Sequence, residues 1–219
     1  MTKVLALVGM GPGVSAAVAR RFAREGFTIA AFARRADALA EQVNALKTAG
    51  GRAHGFTADA ADPSKLSAAI VRAAGELGAF DALVYNAAGV RYKPLAQLTP
   101  DELDADLRVS VSGALAAAHA VLPSMRERGA GTLLFTGGGF AFEPMPALAS
   151  LGVGKAALRN LTFALHGDLK DSGIHAATVT ICGVVKPGTA FDPERIAESY
   201  WALHAQPVGS FERELMFKG

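Results

Sequence analysis

The 219-residue sequence predicts a doubly wound α/β fold, a three-layer sandwich around a central, mostly parallel sheet of about seven strands. Three observations point to it. Short apolar runs alternate with helical segments along the whole chain, glycines and polar turns bound those runs, and the intervening helices can carry the chain from one parallel strand to the next. Right-handed crossovers then wind helices onto both faces of the sheet. Such a sheet binds its ligand at the carboxyl ends of the strands, where the winding direction switches.

The elements follow in order. Lys3–Val8 reads as a buried strand ending in glycines. Val14–Glu25 is a helix with Val14, Val18 and Phe22 on one face, and Phe27–Ala33 is the second strand. Ala36–Ala49 is a helix stopped by Gly50 and Gly51, and Arg52–Thr57 is the third strand. Asp62 and Pro63 supply an N-cap and a first-turn proline for a helix to about Leu77. Ala79–Tyr85 is the fourth strand. Thr99 and Pro100 open one long helix to about Arg128, with Glu102 placed for a capping box. Gly131–Thr136 is the fifth strand, and a helix runs from about Ala147 to Lys170. Ile174–Cys182, rich in β-branched residues, is the sixth strand. Pro193–His204 is the last helix, and Phe211–Phe217 is an edge strand.

Composition bounds the function. Hydrophobic residues make up 51% of the chain and charged residues 19%, so it folds around a core, as one domain over residues 1–219. Twenty-two basic against 20 acidic residues leave a net charge of +2, too weak to suggest nucleic acid as the main partner. The single cysteine, Cys182, excludes an intrachain disulfide and a cysteine-based metal site, so no metal is expected and a reducing, cytoplasmic setting is. The apolar run Val4–Val8 is shorter than a signal-peptide core, and no window is expected to approach a membrane span.

The chemistry-bearing motif is Val8-Gly9-Met10-Gly11-Pro12-Gly13-Val14-Ser15, between the first strand and the first helix. Glycines allow the tight turn and let the backbone approach a diphosphate, and the helix N-terminus offers free N–H groups to the anion. The spacing G-x-G-x-x-G fails at Val14; G-x-x-x-G-x-G fits with Gly9, Gly13 and Ser15 in place of the last glycine. This is a Rossmann-type dinucleotide site. At the end of the second strand, where an acidic residue would accept the ribose hydroxyls of NAD, stand Arg34 and Arg35, whose guanidinium groups suit the 2′-phosphate of NADP. Asp37 keeps NAD possible.

Over nearly its whole length the chain resembles the short-chain dehydrogenase/reductase family. Thr57-Ala58-Asp59 resembles the family's stretch with an adenine-contacting aspartate, and Asp81–Gly89 resembles its D-x-L-V-N-N-A-G segment, with Asn86 and Ala87 matching while Tyr85 and Ala88 differ. The resemblance implies that Asp59, Asn86 and Ala87 face the adenosine half of the cofactor. It also implies a serine, a tyrosine, a lysine four residues later and an asparagine as the acid–base machinery. Lys155 matches the lysine, as a ribose ligand and the one catalytic residue carried over. The tyrosine position is Leu151, the serine position is Gly138 and the asparagine position is Ser110. After the sixth strand Gly183 matches the glycine of a Pro-Gly pair beside the nicotinamide, Cys182 replaces the proline, and Val184 is placed to meet the carboxamide. Only a short segment separates Gly183 from the last helix, which implies an open site. The C-terminal Phe191–His204 resembles a bacterial subgroup in which the tyrosine is also often missing.

Among possible replacements for the missing acid, Tyr92 lies in a loop facing the substrate side, Tyr85 and Tyr200 read as packing residues, and the scattered histidines read as structural. Two functions stay open. One is an NADP(H)-dependent oxidoreductase acting on a small carbonyl or alcohol with a non-standard proton donor; the other is a catalytically inactive dinucleotide-binding sensor or scaffold, alone or paired with an active relative. The alanine-rich helices from Asp101 and from Ala147 imply, by the same resemblance, a homodimer or homotetramer.

Overall fold

The computed structural model describes residues 2–219. Seven parallel strands form one sheet in the order β3-β2-β1-β4-β5-β6-β7. They are β1 Val4–Val8, β2 Thr28–Ala33, β3 Arg52–Thr57, β4 Ala82–Tyr85, β5 Gly131–Gly138, β6 Ile174–Ile181 and β7 Glu214–Phe217. The helices are α1 Val14–Arg24, α2 Ala36–Thr48, α3 Pro63–Leu77, α4 Pro100–Leu107, α5 Gly113–Arg128, α6 Ala149–Leu169 and α7 Pro193–His204. The α/β class and the strand count match the expectation. Sequence order runs outward from β1 to β3, then jumps back to place β4 on the other side of β1, so the switch point lies between β1 and β4.

The two-residue period of the strands builds two cores. In β1, Val4, Ala6 and Val8 join the core beneath α3, α5 and α6, whereas Leu5 and Leu7 join the one beneath α1, α2 and α7. Helix starts follow local chemistry. The Asp62 carboxylate accepts from Lys65 N at 3.1 Å at the head of α3, and the Asp192 carboxylate accepts from Glu194 N at 2.8 Å at α7. Thr99 and Glu102 close the expected capping box at α4.

Three expectations are corrected. The long helix after Thr99 is not continuous α-helix, because Arg108–Ser112 forms one π-helical turn between α4 and α5. The Tyr85 hydroxyl donates to the carbonyl of Val109 in that turn, and Gly113 lets the phenol close in, since a Cβ there would lie 2.5 Å from its oxygen. The fifth strand runs two residues beyond Thr136, because Gly137 and Gly138 stay in register with Thr180 and Ile181 of β6. A Cβ on Gly137 would lie 2.6 Å from the hydroxyls of Thr178 and Thr180, so only glycine continues the strand there. Finally, one segment does reach membrane-span length and apolarity: Pro100–Arg128, 29 residues with a mean hydropathy of 1.2 over its most apolar window. Its apolar face, including Ala114, Ala117, Val121 and Met125, is built into the core.

Candidate functional site

Because every strand is parallel, all carboxyl ends lie along one edge of the sheet, and the predicted site residues gather there. At the end of β1 the turn is held by Gly9 N and Met10 N, which donate to Phe32 O at 2.9 and 3.0 Å. Gly9 has φ +85° and its missing Cβ would overlap the Ala87 backbone nitrogen, so no other residue fits. Gly13, at φ +97°, is the N-cap of α1 and offers no side chain to its N–H groups. Open space surrounds the Cβ positions of Gly11 and Gly13. Ser15 is buried and exchanges hydrogen bonds at 3.0 Å with the backbone of Gly11, so it fills the third glycine's place without disturbing the packing of helix on strand. An open glycine surface leading to uncapped helical N–H groups fits a diphosphate.

Arg34 and Arg35 follow β2 at the same edge. Both are exposed, and among the described residues neither guanidinium has a hydrogen bond or ion pair. Asp37 is exposed beside them. Asp59, after β3, is exposed, and one of its carboxylate oxygens accepts from Ala61 N at 2.9 Å, so the other is left for a ligand.

The centre of the cleft is a buried polar chain. The Thr136 hydroxyl of β5 donates to Asn86 Oδ1 at 2.9 Å and meets the Tyr200 hydroxyl of α7 at 2.7 Å. Asn86 Nδ2 donates to Gly9 O at 3.3 Å, which joins the chain to the glycine turn. Lys155 of α6 is buried and its ammonium donates to the carbonyl of the same Thr136 at 2.6 Å. Burial alone pulls this ammonium down to about 8, because no carboxylate stands by to keep it charged. Leu151 lies one helical turn before Lys155. A Cβ on Gly138 would sit 3.6–3.7 Å from the Lys155 methylenes, in ordinary contact. The Ser110 hydroxyl, in the π-helical turn, accepts from Gly89 N at 2.9 Å and so holds the loop after β4.

After β6, Gly183 is packed by the Phe191 ring, which occupies the place a Cβ would take. Val184 is 83% exposed and Cys182 is half-buried, its thiol 3.6 Å from Thr180 O. Lys186 N donates to Phe191 O, and Gly188 N donates to the Asp192 carboxylate, so the segment before α7 is a tight turn and covers little. The loops after β4, β5 and β6 expose Val90, Tyr92, Leu95, Phe142, Met145 and Val184, interleaved with the charged Arg91, Lys93, Glu143 and Lys186. Tyr92, at 79% exposure, has no fixed place beside Lys155.

The structure thus gathers Gly9, Gly11, Gly13, Ser15, Asn86, Ala87 and Lys155 around the switch point, with Arg34, Arg35 and Asp59 on one flank and Gly183 and Val184 on the other. Sequence reasoning read Tyr200 only as a packing residue and missed its bond to Thr136, whose hydroxyl holds Asn86 and whose carbonyl holds Lys155. The one signal available was a tyrosine on an otherwise apolar helical face, since a buried hydroxyl needs a partner.

A seven-stranded parallel sheet with a glycine turn at its switch point and a buried lysine beside it defines a dinucleotide-binding oxidoreductase fold. A family model described as short chain dehydrogenase matches residues 3–197, and the chain belongs to that family. It is 29% identical over 217 residues to 2,3-dihydro-2,3-dihydroxybenzoate dehydrogenase of Bacillus subtilis, covering 99% of this chain and 78% of that protein. It is 27% identical over 217 residues to L-2,3-butanediol dehydrogenase of Corynebacterium glutamicum, covering 98% and 83%. Among solved structures, a metagenomic short-chain oxidoreductase in complex with NADP superposes with a TM-score of 0.89 at 23% identity, covering 98% of this chain and 96% of that one. The alcohol dehydrogenase of Thermococcus sibiricus, complexed with 5-hydroxy-NADP, does so with a TM-score of 0.86 at 23% identity, covering 99% and 96%. At that identity the likeness is one of fold.

Proposed function

We propose that this chain is an NADP(H)-dependent oxidoreductase of small carbonyl or alcohol compounds that works without the serine and tyrosine of its family. The observation that carries the reading is Lys155, buried at the carboxyl edge and hydrogen-bonded to Thr136 O; the family resemblance would put Leu151 and Gly138 where a phenol and a hydroxyl stand. NADP(H), when bound, supplies or accepts the hydride. The glycine turn and the start of α1 would hold its diphosphate, the unpaired Arg34 and Arg35 its 2′-phosphate, Asp59, Asn86 and Ala87 its adenosine half, and Lys155 its nicotinamide ribose. Gly183 and Val184 would border the carboxamide. Structures of the same fold in complex with NADP and with 5-hydroxy-NADP support that cofactor.

With Leu151 unable to exchange a proton, the Lys155 ammonium is the chain's own proton store at this point, reaching the substrate oxygen through water. The exposed apolar side chains of the loops after β4, β5 and β6 and the short turn before α7 suit a small carbonyl that is only partly enclosed. The lone cysteine suits a reducing cytoplasm.

Fluorescence titration tests the cofactor, and turnover against a panel of carbonyl compounds tests the chemistry. NADPH should bind more tightly than NADH by about tenfold or more, from charge-assisted hydrogen bonds to the arginines. Binding without any turnover would instead support a sensor or scaffold, and failure to bind either nucleotide would sink both readings. The double variant Leu151→Tyr/Gly138→Ser should raise carbonyl reduction at least tenfold, because Gly138 has extended backbone and room for a Cβ.

A further inference from the structure

The hydrogen-bond chain at the cleft has a direction, set by the donors each group can offer. A threonine hydroxyl has one proton to give. Thr136 gives it to Asn86 Oδ1, so at the 2.7 Å contact with Tyr200 the phenol must be the donor. Asn86 cannot be turned over to reverse the chain, because its Oδ1 would then face Gly9 O, one acceptor against another. Each donor therefore points the same way, from Tyr200 to Thr136 to Asn86 to Gly9. Burial pushes the Tyr200 phenol well above its ordinary value, so it stays protonated. Tyr200 is fully buried on α7, in the core opposite to α6, and its hydroxyl meets Thr136.

From this geometry we infer that Tyr200 is a positioning residue, which acts through the Thr136 hydroxyl to fix the orientation of the Asn86 carboxamide at the dinucleotide cleft. Its hydroxyl is the first donor of the chain. Without it Thr136 can rotate its own proton toward other acceptors, and Asn86 loses the partner that holds Oδ1 inward and leaves one Nδ2 proton free for a ligand. Thr136 is the joint, since its hydroxyl holds Asn86 while its carbonyl holds Lys155. A helix in the opposite layer thereby sets a group at the cofactor cleft. The link to cofactor affinity rests on the function proposed above.

The test uses the full chain. Tyr200→Phe removes one oxygen and keeps the ring. It should weaken NADPH binding roughly three- to tenfold, the range expected for one lost hydrogen bond. Thr136→Val should weaken it at least as much and Thr136→Ser should restore it. In the Thr136→Val background the Tyr200→Phe effect should vanish, since the two act in series. Nuclear magnetic resonance of the nucleotide-free protein reads the positioning directly: in Tyr200→Phe the Asn86 side-chain amide resonances should shift and exchange faster with solvent. Unmoved Asn86 resonances with unchanged NADPH affinity would overturn the inference, even if melting temperature fell, because that would mark a purely structural hydroxyl. Should the wild type bind no nucleotide, the proposed function fails, while the resonance measurement still decides the role of Tyr200.

Discussion

Lys155 holds its charge in a buried place with only a carbonyl to receive it. Burial brings its folded value to about 8, below the 10.5 of an exposed lysine. Carbonyl reduction, which consumes the ammonium proton, should fall as pH rises through about 8, whereas alcohol oxidation, which needs the neutral amine, should rise there. Stability moves oppositely to reduction: between about 8 and 10.5 the unfolded chain binds the extra proton, so unfolding free energy should increase with pH across that window. A pH–rate profile in both directions, repeated on Lys155→Met, checks this; the limb near 8 should disappear in the variant. At this scale the sequence was legible where a residue type is irreplaceable. Gly9 could be read because positive φ and the nearby Ala87 backbone admit nothing else, and Lys155 because a motif carried it.

At the scale of elements, the break in the helix after Thr99 shows how a distant side chain edits local structure. Residues 100–128 have the periodicity and capping of one helix, and nothing local interrupts them at 108–112. Tyr85, on the neighbouring strand, takes the Val109 carbonyl and stabilises the wider turn. Tyr85→Phe takes the donor from that part-buried carbonyl, so the protein should lose about 1 kcal/mol of stability. Chemical denaturation measures the loss, and hydrogen exchange should show it concentrated at residues 107–113. An unchanged unfolding midpoint would mean the turn does not depend on the phenol. The strand extension through Gly137 and Gly138 has the same logic: glycine disfavours a strand on its own, and pairing with β6 imposes one.

For the whole molecule, the outward face of α6 carries Val153, Ala156 and Ala164, small or apolar side chains exposed in the single chain. We propose, from the family resemblance, that this helix pairs with a second copy across a two-fold axis. Ala156→Arg/Ala164→Arg should therefore convert a dimer or tetramer to smaller species in light scattering while leaving the secondary structure intact, since neither residue contributes to the core. A wild type that is already monomeric at micromolar concentration would exclude the pairing. Sheet order also belongs to this scale. Alternating strands and helices implied parallel pairing and a switch point, and the observed order puts that point between β1 and β4, beside Gly9 and Asn86.

What the sequence determined by itself was whatever depends on neighbours along the chain: strand and helix periods, caps at Asp62 and Thr99, the glycine turn, and the residues that succeed each strand at its carboxyl end. These are short-range consequences of backbone geometry and side-chain reach. What only the tertiary structure decided were hydrogen bonds between residues far apart in the chain, Tyr85 to Val109, Lys155 to Thr136, and Tyr200 through Thr136 to Asn86. A hydroxyl or an amide can satisfy itself with many partners, and the one it takes is fixed only when packing of the layers brings that partner within reach.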